Sequence, residues 1–112
     1  MKPRAIQRII EGLPAPCCSL RIDPRDETFF VEMARAIGHP IRFEIVQYLA
    51  QNPGCITGQI VEALPIAQAT TSQHLKVLRE AGWISGIVSG PATCYCLNND
   101  RVRRFKEIVA SL

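Results

Sequence analysis

Between Ala67 and Leu97 the chain reads AQATTSQHLKVLREAGWISGIVSGPATCYCL, and no other stretch restricts its fold as tightly. Thr71, Leu75, Leu78 and Ala81 recur at helical spacing and make one apolar stripe. Gln68, Ser72, Gln73, Lys76 and Arg79 fall on the other side. That outer face carries short hydrogen-bonding side chains toward its start and cations toward its end. Gly82 follows the last helical turn, where a residue that tolerates positive φ ends a helix. Two β-like runs come next, Trp83–Val88 and Thr93–Leu97, joined by Ser89-Gly90-Pro91. Strand side chains alternate, so Cys94 and Cys96 share one side, and Thr93, Tyr95 and Leu97 share the other.

A polar-faced helix followed at once by a hairpin outlines a winged helix-turn-helix. Ser and Gln read base edges in a major groove, whereas Lys and Arg neutralise phosphates. Gln68, Thr70, Ser72 and Gln73 are therefore the expected base and near-phosphate contacts, with Lys76 and Arg79 on phosphates. His74 lies nearer the buried side. The alternative is an ordinary surface helix with its polar residues outside.

The remaining segments supply a frame for this unit. Residues 3–13 read as a short amphipathic helix with Ile6, Ile9, Ile10 and Leu13 on one face, ended by Pro14-Ala15-Pro16. Asp23-Pro24 is an N-cap followed by proline at the first helical position. That helix is expected to reach about Ile37, with Phe29, Phe30, Met33, Ala34 and Ile37 inward. Pro40 opens another to about Ala50, with Ile41, Ile45, Val46 and Leu49 inward. Thr57 caps a helix to about Leu64, and Asn99 or Asp100 caps the last one, whose apolar face is Val102, Phe105, Ile108, Val109 and Leu112. The expected class is mainly α with a small β-hairpin. The 112 residues divide into an N-terminal helix and arm (1–22), a core with its wing (23–98) and a C-terminal helix (99–112), in one domain. No apolar run approaches the ~20 residues of a membrane span, and the charged N-terminus does not read as a signal peptide, so a cytoplasmic protein is expected. A net charge of +3 suits a nucleic-acid partner weakly. No glycine-rich phosphate loop or nucleophile–base pair appears, so no enzymatic activity is expected. His39, after a helix-ending glycine, reads as a cap or core residue.

Five cysteines, an odd number, do not suit a secreted disulfide framework. In a reducing cytosol they are ligands, sensors or core filler. Cys17 and Cys18 are adjacent in a Pro-rich linker. Vicinal cysteines form strained disulfides, so a soft ligand pair is the more natural use. Cys55 is either a small buried hydrophobe or a ligand, and Cys94 with Cys96 are filler, ligands or an oxidisable pair.

TTSQHLKVLREAGWI, preceded by HPIRFEIVQYL and followed by a hairpin ending in CYCLN, resembles the ArsR/SmtB group of metal-responsive bacterial repressors over about residues 27–110. The resemblance implies a homodimer, built through the terminal helices, that binds double-stranded operator DNA. It also implies an inducer. Some arsenic-responsive members join an N-terminal Cys-Cys pair to a later cysteine of the other subunit, and Cys17, Cys18 and Cys55 match that arrangement. As(III) or Sb(III) is then the expected inducer ligand, with a thiol-based redox or reactive-sulfur sensor of the same fold as the alternative. The common Cys-x-Cys inside the helix after Thr57 is absent, and the last helix has no histidine, so a zinc, nickel or cobalt site is not expected. Two further departures stand out. Ala67 replaces the usual serine cap, and the wing tip Ser89-Gly90-Pro91-Ala92 lacks the usual basic residue.

Overall fold

The computed structural model describes residues 11–12, 18–52, 67–89 and 92–112. Among these the order is α1 (Pro24–Ile37), α2 (Pro40–Gln51), α3 (Gln68–Ala81), β1 (Ile84–Ser89), β2 (Ala92–Leu97) and α4 (Asn99–Ser111). The expected helix at 57–64, and that at 3–13 apart from residues 11–12, lie outside the described residues.

Local chemistry sets the helix starts. Asp23 Oδ1 accepts the Arg25 amide at 2.9 Å, with Pro24 as the first helical residue. The Arg25 side chain and amide, donating to Asp23, hold its carboxyl below the usual aspartate range. His39 caps α2, its Nδ1 accepting the Ile41 amide at 3.1 Å, with Pro40 next. α3 has no side-chain cap, as Ala67 leads one to expect. Thr71 partly compensates by donating its hydroxyl to the Ala67 carbonyl at 3.3 Å. Ala67→Ser should therefore stabilise the fold by about 1 kcal/mol. A rise in the urea midpoint at unchanged slope would record it.

The end of α3 fixes the wing. Gly82 sits at φ 108°, and its amide donates to the carbonyls of Leu78 and Arg79. The Trp83 amide also donates to Leu78, at 3.0 Å, which completes a Schellman-type stop. Trp83 consequently leaves the strand it was expected to begin, and β1 starts at Ile84. β1 and β2 pair antiparallel from Ile84↔Leu97 to Ser89↔Ala92. The last helix also starts one residue early. Asn98, not Asn99 or Asp100, is its cap: Asn98 Oδ1 accepts the Arg101 amide at 3.3 Å, while the Asn98 amide donates to the Trp83 carbonyl at 3.0 Å. Asn98 thus ties the hairpin to α4.

The core is Met33 and Ala36 of α1, Ile45, Val46 and Leu49 of α2, Leu75 and Leu78 of α3, and Trp83 with Ile84. Ala36, rather than the expected Ala34, is the buried small residue where α1 meets its neighbours. The Trp83 indole donates to the Met33 carbonyl at 2.7 Å and meets the Phe105 ring edge-on at 5.0 Å. Phe105 in turn stacks on Phe30 at 5.4 Å. These aromatic contacts join α1, α4 and the helix–wing junction, so α3 is carried on a packed frame. Val109, expected on the apolar face of the last helix, is 47% exposed in the single chain.

Candidate nucleic-acid interface

α3 separates its two faces cleanly. Thr71 and Leu78 are fully buried and Leu75 nearly so, through packing on α1, α2 and β1. Thr70, Ser72, Gln73, Lys76 and Arg79 are all exposed. Gln68 opens the helix, and its side chain lies outside the described residues. Among the described residues, no side chain bonds to those of Ser72, Gln73 or Lys76, so their donors and acceptors are available to a ligand. The Arg79 stem runs beside the wing: its Cδ lies 3.6 Å from the point a Cβ would take on Gly86. A Cβ at Gly86 would meet the Arg79 stem at ordinary van der Waals distance.

His74 sits at the margin of this face, half-buried, as its place in the helical spacing implies. Its ring lies 4.6 Å from that of His39, tilted by 45°. Arg42 Nη1 approaches His74 Nδ1 at 3.5 Å, while Arg42 Nε donates to the Ala36 carbonyl at 2.6 Å. Burial, then His39 and Arg42, push the His74 imidazole below the usual histidine range. Its stabilising contribution is thus present above the unfolded value near 6.5 and is lost as the pH falls through the lower folded value. Arg42 does not stand out in the sequence. Its only local signal is its place two residues after the Pro40 that opens α2.

The basic run Arg101, Arg103, Arg104 and Lys106 of α4 is exposed, and three of its members make contacts within the chain. Arg104 bonds Asp26 of α1 at 2.6 Å, Arg103 pairs with Asp100 at 3.6 Å, and the Arg101 guanidinium lies 6.0 Å from the Phe29 ring centre. These contacts support a structural use of that run, as a solvated helix face, over a DNA contact.

Cys18 is exposed just ahead of α1. Cys17 and Cys55 lie outside the described residues. Among the described residues no group of three His, Cys, Asp or Glu side chains could hold a metal ion. Cys94 is disulfide-bonded and Cys96 is a free thiol, so these two are not bonded to each other. Tyr95 and Leu97 pack on the core, which leaves Cys94 and Cys96 on the other side of β2 as the alternation requires. Among the described residues no helix is long and apolar enough to cross a membrane.

Residues 39–85 match the family model described as "Bacterial regulatory protein, arsR family". The chain is 32% identical over 81 residues to an uncharacterized HTH-type transcriptional regulator of Methanocaldococcus jannaschii, covering 72% of this chain and 91% of that one. It is 39% identical over 66 residues to the HTH-type transcriptional repressor SmtB of Mycobacterium tuberculosis, covering 59% of this chain and 48% of the relative. The match thus spans about half the length of that repressor. A crystal structure of a possible transcriptional regulator for arsenical resistance superposes with a TM-score of 0.64 at 26% identity, over 71% of this chain and 82% of the other.

Proposed function

The chain belongs to the ArsR family of bacterial regulatory proteins, and from that membership we propose that it is a homodimeric, cytoplasmic transcriptional repressor released from operator DNA by arsenite or antimonite. The observation that carries the DNA-binding half is the free polar face of α3, set opposite a buried stripe and beside a wing. In this reading Gln68, Thr70, Ser72 and Gln73 contact bases and nearby phosphates, and Lys76 and Arg79 contact phosphates. Two-fold pairing through the terminal helices covers apolar surface such as Val109. It also sets two copies of α3 toward half-sites about 34–36 Å apart.

The inducer half rests on donor chemistry. As(III) takes three soft thiolates, and Cys17 and Cys18 with Cys55 of the partner subunit would supply them. Exposure of Cys18 supports an accessible arm, and likeness to a possible regulator for arsenical resistance points the same way. Capture of the arm would shift one copy of α3 relative to the other. Only differential affinity for the two dimer geometries is needed; a coupling of about 3 kcal/mol weakens DNA binding roughly 150-fold. The disulfide at Cys94 favours a second reading, in which oxidants or reactive sulfur species act on the thiols of the same repressor.

The test starts from a duplex selected in vitro against the wild-type protein. Its complex is titrated in parallel with arsenite, antimonite, cadmium, zinc and a persulfide. Arsenite or antimonite should release the duplex at concentrations where zinc does not, because α4 has no histidine. Release by zinc as efficient as by arsenite would overturn the three-thiolate assignment. Release by persulfide alone would favour the redox reading.

A further inference from the structure

We propose that His74 and Arg42, with His39 packed beside them, form a proton-sensitive positioning node, which seats α3 for DNA reading while the His74 imidazole is neutral and loosens that seat when it gains a proton. The inference rests on the DNA-reading role of α3 proposed above, and adds acidity as a second signal that needs no cysteine.

The geometry brings three helices to one point. Arg42 belongs to α2, yet its Nε bonds the Ala36 carbonyl near the end of α1 at 2.6 Å. Its other arm reaches His74 of α3 at 3.5 Å. A guanidinium only donates, so His74 Nδ1 must be the acceptor, and its proton must sit on Nε2. Protonation of Nδ1 removes that acceptor and places an imidazolium against a guanidinium. His39 packs against the His74 ring. Its Nδ1 accepts the Ile41 amide at 3.1 Å and so caps α2. The two rings lie 4.6 Å apart, and a charged His74 ring would lie against the Arg42 guanidinium.

The surrounding charges do not offset this. Glu32 and Arg35 of α1 and Glu80 of α3 border a groove of about 380 Å³ that Arg42 also lines. Two cations, Arg35 and Arg42, and two carboxylates, Glu32 and Glu80, thus line it. The groups that act on His74 are His39 and Arg42, both of which disfavour its charged form, as does its burial. Lys76 and Arg79, on the outer face of α3, add further positive charge. Acid should therefore weaken the contact between His74 and Arg42.

The sign separates this node from a simple DNA contact. A histidine facing phosphate binds DNA more tightly when protonated. A seating histidine binds it more weakly. The experiment measures affinity for the duplex selected at pH 7.5, by fluorescence anisotropy at fixed ionic strength from pH 8 to pH 5.5. Far-UV circular dichroism is followed over the same range. Wild type should weaken about tenfold or more between pH 7.5 and pH 5.5 with its helix content intact. His39→Asn/His74→Asn keeps a favoured capping residue and an amide acceptor, but neither side chain titrates. It should bind within a few-fold of wild type at pH 7.5 and hold that affinity, or gain slightly, at pH 5.5. His74→Asn alone should lose most of the acid response and serves if the double variant does not fold.

Wild-type affinity that is flat or rises toward pH 5.5, an equal fall in the variants, or loss of wild-type helix content at pH 5.5 would each overturn the inference and leave the DNA-reading role standing. Failure to select any duplex at pH 7.5 would overturn both.

Discussion

Cys17→Ser, Cys18→Ser and Cys55→Ser should each bind the selected duplex like wild type and fail to release it with arsenite. Serine changes little volume but removes a soft thiolate, and two remaining thiolates hold As(III) poorly. A release of roughly 150-fold, from a coupling of about 3 kcal/mol, should collapse to near none. Cys94→Ser and Cys96→Ser should still respond, since the wing cysteines belong to no proposed arsenic ligand set. Mixed dimers sharpen the test. A dimer pairing a Cys17→Ser/Cys18→Ser chain with a Cys55→Ser chain keeps one complete site if the thiols come from different subunits, and none if they come from one. A silent Cys94→Ser/Cys96→Ser variant beside a responsive Cys17→Ser/Cys18→Ser variant would move the sensor to the wing.

Ser72→Ala/Gln73→Ala should weaken binding to the selected duplex by about 1–3 kcal/mol for each base edge that is no longer read in each half-site. Both side chains are exposed on α3 opposite its buried stripe, so their removal leaves the core untouched. Lys76→Ala should behave differently. Without its phosphate partner, the duplex binds more weakly whatever its sequence, and the salt dependence flattens by about one unit per phosphate released. The contrast between a sequence-specific and a uniform effect assigns the two ends of the helix face separately.

Much of this arrangement is legible in the sequence because its causes are local. Gly82 follows the last helical turn of α3, and it takes the positive φ that ends the helix. Asp23-Pro24 reads as a cap and first turn because the carboxylate reaches an amide two residues away. Thr71, Leu75 and Leu78 declare their face by spacing alone, and they are the buried residues of α3. Where the expected boundaries miss, the cause is a bond made at a distance. The first strand begins after Trp83 because the Trp83 amide is held by Leu78, its carbonyl by Asn98 and its indole by Met33. The same bond from Asn98 draws the cap of α4 one residue earlier.

Other features cannot be read along the chain at all. Arg42 and His74 are 32 positions apart, and no periodicity pairs them. Arg104 looks like one cation in a basic run, but it meets Asp26 across 78 positions. For the site itself, exposure of Thr70, Ser72, Gln73, Lys76 and Arg79 agrees with the helical spacing. The cysteine set is of another kind: a spacing cannot show that Cys17, Cys18 and Cys55 converge, least of all across a subunit boundary.

The most direct measurement is the ratio of affinities for the selected duplex and a scrambled duplex of the same length and composition, at one salt concentration, for wild type and Ser72→Ala/Gln73→Ala. Wild type should prefer the selected duplex by about 10³-fold or more, and the variant should lose most of that preference while it keeps its affinity for the scrambled duplex. A variant that discriminates as well as wild type would show that this face of α3 does not read the sequence.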